Sequence, residues 1–558
     1  MRTRIGALVT VAALTLAACG DGGDADDNSS SSTDGADSDD GASGTTTEPT
    51  GPSTTASEPT ASSPPLDSKP APEAYDREAT FTWASLVYPS DLSPHVGLFS
   101  GGVQPIMAAL HDRLVNLDPL TGEMAPMLAT SWEASTDATS ITFQLREDVT
   151  FHDGAPFDAE AVVANVEHAI AMGDENANAS AYELIDGATA VDEYTVRYDL
   201  NGAFAGGLLE LMTQGLGAFV SPATLDNADP AAVAGTGPFM ASDISPGQRY
   251  EMDAYPDYWD PSAQNFATLD IVIESNEDTI LNGIASGEFN AGRLPPAVKT
   301  RAEQTAGVQV ISELSNTAMV LTLNPELIEG GDNPDVIRAI NAAIDRDELG
   351  NGALRGECVP TVQPWNQSHP AHNPEYAADF YGNDPALARQ LLADAGYPNG
   401  IALEIDTYTI PAYIPVAEVL QSQFEEAGID ASIKQLDSSV LVSGFTAEGT
   451  LQTFLSRLPF YQPPTNLLRN WWLADGGNNP GGWHDPEIDA LYPQIMATTD
   501  LDEQNDLLRE VSGRLVEAPS SSVVICHEIA LWLGSEDTIG LFALPFGYDF
   551  RRMGIGAS

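Results

Sequence analysis

Leu117–Val163 reads LDPLTGEMAPMLATSWEASTDATSITFQLREDVTFHDGAPFDAEAVV. Pro119 and Gly122 mark a turn near its start. Ile141, Phe143 and Leu145 then alternate with Thr142, Gln144 and Arg146, the period-two pattern of a strand buried on one face. Asp153-Gly154 closes a second turn. Asp158 is placed to cap a helix with Val162, Val163, Val166, Ala169 and Ile170 on one face. None of these elements is diagnostic alone; their order and wording are what single the stretch out.

The same alternation recurs downstream. Asn333-Pro334 starts a helix bearing Val336, Ile337, Ile340 and Ile344. Asp384-Pro385 starts another, with Leu387, Leu391, Leu392 and Ala395, stopped by Gly396 and Pro398. Ile401, Leu403 and Ile405 mark a strand, and the next helix carries Val416, Val419, Leu420 and Phe424 up to Gly428. Ile429, Ala431 and Ile433 alternate in the strand that follows. Helix and strand in turn predict helices packed on a largely parallel sheet. From Tyr75 onward the chain is too long for one core and long enough for two.

The wording of these elements resembles extracellular solute-binding protein family 5, the peptide, nickel and oligosaccharide receptors of ABC importers. Gly235-Thr236-Gly237-Pro238-Phe239 and Tyr255-Pro256-Asp257-Tyr258-Trp259 are like the family's GTGPF and NPDYW landmarks. Asp335–Ile340 through Ile344-Asp345-Arg346 resembles its DVRVRQAL…AIDR helix. Ala393–Pro398 matches its AEAGYP helix end, and Pro486-Glu487-Ile488-Asp489 its NPEVD turn. The resemblance implies a type II periplasmic-binding-protein fold of class α/β, two lobes joined by a two-strand hinge with an inserted subdomain. Lobe I would comprise 75–112, 234–312 and 524–558, the insert 113–233 and lobe II 313–523, within a solute-binding domain of 75–558. The chain would cross between lobes near Ser315–Leu323 and Val523–Leu531. The function implied is capture of a small solute, peptide-like before oligosaccharide or other amphiphile, and its delivery to a permease by a monomeric, non-enzymatic receptor.

Residues 1–18 read as an export leader: Arg2 and Arg4, an apolar run from Ile5 to Ala18, then Leu16-Ala17-Ala18-Cys19, which looks like a lipobox. The run is too short to span a bilayer. Cys19 would carry the lipid that holds the protein at the outer face of the cytoplasmic membrane. Residues 19–74 are mostly Ser, Thr, Asp, Gly, Pro and Ala with almost no large apolar side chain, a composition that predicts a disordered tether. The formal charge is −60 with three lysines, Lys69, Lys299 and Lys434. Such a surface repels nucleic acid and anionic lipid, leaving the anchor as the membrane contact. Cys358 and Cys526 remain, either as a disulfide or as buried small hydrophobes; a bridge suits the position the resemblance gives them at the second lobe and its boundary.

Peptide-binding relatives carry a segment like GWxxDYPDP whose first aspartate pairs with the ligand's amino group. The matching stretch here is Leu455–Asn466, LSRLPFYQPPTN, with no such aspartate and with Arg457 close to its place. Arg457 is suited to gripping an anion, or to pairing with one of the many acids. Phe460, Tyr461, Trp471, Trp472, Trp483 and Trp365 offer flat faces for sugars or aromatic groups, although cores hold most tryptophans. From these, Phe460, Tyr461, Trp471 and Trp365 are candidate ligand contacts, with Asn466 as a hydrogen-bonding partner. His369 and His372 form an HxxH with no third ligand spaced to complete a metal site, and no cofactor is implied. His152, in Phe151–Gly154, reads as a turn residue. A secreted hydrolase is the competing class. The chain lacks a GxSxG elbow, and His527-Glu528-Ile529-Ala530-Leu531 lacks the second histidine of HExxH. With no Walker loop, the importer's ATPase would be a separate protein.

Overall fold

The computed structural model describes residues 71–557 except 90, 98–100, 119–121, 228, 230–231, 459–462 and 542–549. The leader, Cys19 and most of the expected tether lie outside the described residues. Its last residues do not: Pro72–Ala74 form a helical turn, the Ala74 carbonyl accepts from Ala557 N at 2.8 Å, and Tyr75 is buried with its hydroxyl donating to Arg552 O.

A nine-stranded sheet organises the molecule. Its order is Thr453–Leu458, Val308–Leu323, Ser522–Ser535, Ala291–Leu294, Thr80–Ser85, Thr268–Ile273, Arg249–Ala254 and Phe239–Ser245, with Cys358–Pro360 also pairing Ser522–Ser535. Thr80–Ser85 runs parallel to both of its neighbours and the remaining pairings are antiparallel. The expected largely parallel sheet is therefore corrected. Ile401–Tyr408 and Ile429–Leu436 do run parallel, but as a separate pair. Helix–strand alternation is compatible with either pairing, because partner direction is a long-range property.

Val308–Leu323 and Ser522–Ser535 each run from one group of cores to another and connect them. They pair antiparallel from Val308↔Ser535 to Thr322↔Ser522, with breaks in register between Leu314 and Ala318 and between Met319 and Val320. Each strand serves different cores at its two ends. Val308, Val310, Leu531 and Leu533 pack with Ile280, Ile284 and Phe289. Met319, Leu321, Val523 and Ile525 pack with Ile337, Ile340, Leu403 and Phe424. Ser315, Asn316 and Thr317 lie where the strands leave one core for the other. Ser315 Oγ donates to Glu528 O, and Asn366 bonds Leu314 O and Asn316, so the irregular backbone is satisfied. Cys358 and Cys526 form a disulfide, which pins the short Cys358–Pro360 strand to the second connecting strand.

Another core lies between Leu114 and Phe219, with Trp259 and Ala497 packed against it. Four antiparallel strands, ordered Ala129–Ala134, Ser140–Leu145, Thr195–Leu200 and Ile185–Asp192, support the Ala159–Met172 helix. Asp158 accepts from Ala161 N as an N-cap should, and Ile141, Phe143 and Leu145 are buried. Ile170, however, is 42% exposed, and Leu387 on the Pro385–Asp394 helix is 39% exposed. Both sit at the edge of an apolar stripe that is narrower than the sequence spacing suggests. Asn333 and Asp384 also cap their helices.

Candidate functional site

Among the described residues, two cavities lie beside the connecting strands. The wider, about 790 Å³, is lined by Trp83–Val87 at the end of the central strand, Arg293–Ala297, Ser315, Arg355, Glu357, Cys358, Ile410–Ala412, Arg457 and Glu528–Ala530. Arg457 and Glu528 meet across Val308–Leu323, which lies between their own strands. Arg457 Nε donates to Glu528 Oε1 at 2.5 Å, and its guanidinium sits 4.6 Å above the Tyr413 ring. Burial opposes the charge on Arg457, but the Glu528 carboxylate and Tyr413 outweigh it and raise its pKa. Burial also raises Glu357, against the pull of Arg355 and Lys299. Three arginines, Arg293, Arg355 and Arg457, face three glutamates, Glu277, Glu357 and Glu528, in this cleft. The whole chain carries 22 cations against 82 acids. The cleft is thus charge-balanced within a strongly acidic body.

The narrower cavity, about 70 Å³, is walled by Gln104, Leu117, Met124 and Glu210 on one side and by Trp365, His369, Pro463, Pro464 and Leu467 on the other, with Asn316 between. Glu210 projects from the Ala205–Leu211 helix. Gly206 and Gly207 on that helix allow a close approach: a Cβ at the first would collide with the Thr498 carbonyl and at the second with Met496. The approach brings Glu210 Oε2 to the Thr465 hydroxyl and to Thr465 N at 3.4 Å, both donating to it. Burial pushes Glu210 up to about 7. Trp365 Nε1 and Gln104 Oε1, both on buried residues, have no hydrogen-bond partner among the described residues.

A family model for bacterial extracellular solute-binding proteins, family 5, matches residues 123–479. The chain belongs to that family. Glutathione-binding protein GsiB of Pectobacterium atrosepticum is 22% identical over 446 residues, covering 75% of this chain and 83% of that one. Heme-binding protein A of Haemophilus influenzae is 24% identical over 519 residues, covering 84% and 91%. The peptide-complexed periplasmic binding protein DppA of Helicobacter pylori superposes with a TM-score of 0.72 at 21% identity, over 87% of this chain and 99% of that one. The fold is that of the type II periplasmic binding proteins. The chain is a family 5 substrate-binding protein of the ABC-transporter kind, and its relatives are binding proteins by name.

Within this family member, the residues singled out in the sequence fall in different places. Arg457 lines the wider cleft, already held by Glu528. Trp365 lines the narrower cavity, its ring 6.1 Å from that of His369. Trp471 is buried among Leu468, Ile488 and Leu508 and lines neither cavity. Asn466 is half-buried, accepts from Asn470 Nδ2 at 2.7 Å and lines neither. Phe460 and Tyr461 lie outside the described residues. The HxxH histidines are turned to their own loop: His369 Nδ1 accepts from Ala371 N and His372 Nδ1 donates to Trp365 O. Among the described residues no cluster of three His, Cys, Asp or Glu side chains is arranged for a metal. His152 and His527 donate to Gly237 O and Gln363 O, and burial lowers each to about 4. Sequence reasoning missed Glu210. The signal was present: it is the one charged residue between Asp199 and Asp226.

Proposed function

We propose that this chain is the monomeric solute receptor of an ABC importer, closing two lobes over a small solute and presenting it, unaltered, to a permease driven by a separate ATPase. The observation that carries the reading is the pair of connecting strands. Each is built into separate cores at its two ends and loses its register between Leu314 and Ala318, beside both cavities. Two firm bodies on a short irregular connection form a hinge, and a solute touching both bodies favours closure. The lobes are taken as 75–112, 234–312 and 524–558 for the first and 313–523 for the second, with 113–233 inserted. Peptide-like solutes lead, since the relatives above include a glutathione binder and a peptide-bound protein. The lipobox-like Leu16–Cys19 supports anchoring through Cys19 at the outer face of the cytoplasmic membrane.

Small-angle scattering of the purified protein, with native mass spectrometry to identify a co-purified or added solute, tests this directly. Saturable binding with a fall in radius of gyration and no conversion of the solute is the expected outcome. Turnover of peptides or glycosides, or binding without compaction, overturns the reading.

A further inference from the structure

We infer that Glu210 anchors a positively charged amino group of the solute in the narrower cavity, across from Trp365, so that the solute is an amine next to a carbonyl, as at the free amino end of a peptide. This rests on the receptor reading. A carboxyl withdrawn from water ordinarily has a cation or several donors around it. Glu210 is 7% exposed and, among the described residues, has neither lysine nor arginine beside it; Thr465 alone donates to it, and only to Oε2. Oε1 is left for a further donor.

The cavity contains the rest of a complementary set. Among the described residues, Gln104 Oε1 is a second unpartnered acceptor and Trp365 Nε1 an unpartnered donor. An ammonium has three protons to donate, and the carbonyl next to it has an oxygen to accept. A space of about 70 Å³ suits such a head group rather than a whole solute. His369 does not compete as an internal cation, because burial lowers it to about 3. Glu210 and Gln104 precede the first connecting strand, whereas Trp365 and Thr465 follow it. An amine held among them therefore bridges the two sides and favours the closed form. If Glu210 is protonated beforehand, the arriving ammonium displaces that proton to solvent, leaving a carboxylate–ammonium pair.

The test uses the mature protein, a mixed tripeptide pool with free amino ends, the same pool N-acetylated, and an amine-free pool of neutral and acidic oligosaccharides. Binding is read by native mass spectrometry and calorimetry, and compaction by scattering. The free pool is expected to bind, with affinity falling about 30-fold or more on acetylation, as when one partner of a buried charge pair is removed. Glu210→Gln is expected to remove most of that discrimination. The acetylation comparison on the unmutated protein needs no variant, and circular dichroism checks that Glu210→Gln is folded. Equal binding of free and acetylated peptides, or unchanged affinity in the variant, overturns the inference. Binding and compaction with the amine-free pool alone overturns it while leaving the receptor reading intact. Failure of every pool to bind counts against both.

Discussion

The two cavities handle charge in opposite ways. In the wider cleft Arg457 and Glu528 already satisfy each other, and the arginines and glutamates lining it are equal in number. In the narrower cavity one carboxyl is buried with no cation among the described residues, which also leave an indole donor and an amide acceptor there unpartnered. A satisfied pair mainly holds a wall in place, because exchanging Glu528 for a ligand group returns little net energy. An unsatisfied buried group has energy to gain from a ligand. Residue type alone is thus a poor guide to binding: Arg457 is the more conspicuous residue, and Glu210 is the one left wanting a partner.

The largest expected effect separates the walls of the two cavities. Cys358 lines the wider cleft and is bonded to Cys526 on the second connecting strand, whereas neither lines the narrower one. Replacing both by serine should cost about 2–5 kcal/mol of stability. The loss would appear in thermal unfolding, and in the native protein after reduction. Discrimination between free and acetylated peptides should survive at temperatures where the variant is folded; its loss would show that the cavities are not independent.

A smaller effect should follow pH. Glu210 is held near 7, above the ordinary glutamate value of 4.5, so it binds its proton more tightly in the folded state. Its stabilising contribution is therefore present below about 4.5 and is lost as pH rises through about 7. Of the titratable groups around it, burial keeps His369 neutral over this range and raises Tyr492 above its usual value, so neither changes charge there. Glu210→Gln should remove a pH-dependent difference on the order of 2 kcal/mol between pH 5 and pH 8 in the ligand-free protein. A variant with the same pH profile as the original would contradict the solitary burial of this carboxyl.

The smallest effect is expected at the satisfied pair. Arg457 and Glu528 keep part of their side chains in water, so Glu528→Gln should cost only about 1 kcal/mol. A double-mutant cycle with Arg457→Leu should place most of that in coupling between the two. Affinity for a neutral solute should hardly change. A large affinity loss on Arg457→Ala, without loss of stability, would move the anchoring role back to the wider cleft.

Much of the scaffold was legible because it depends on neighbours in the chain. The caps at Asp158, Asn333 and Asp384 need a side chain that reaches an amide two or three residues ahead, and the alternation of Ile141, Phe143 and Leu145 needs only the pleat. Ordered landmarks such as Gly235–Phe239 and Ala393–Pro398 then pointed to the family. Periodicity was weaker at stripe edges, as Ile170 and Leu387 show, because it does not say how wide the covering surface is.

By itself the sequence determined the α/β class, the acidic character, the places where helices begin and the family, all of which follow from short-range stereochemistry and composition. Only the tertiary structure decided that the great sheet is mixed, that Trp471 is core, and that Cys358 reaches Cys526 across 168 residues. It alone brought Arg457 to Glu528 and Glu210 to Thr465, partners 71 and 255 residues apart. The physical reason is that burial and pairing depend on which surfaces the folded chain presses together. That is set by the sum of many distant contacts, and no local pattern encodes it.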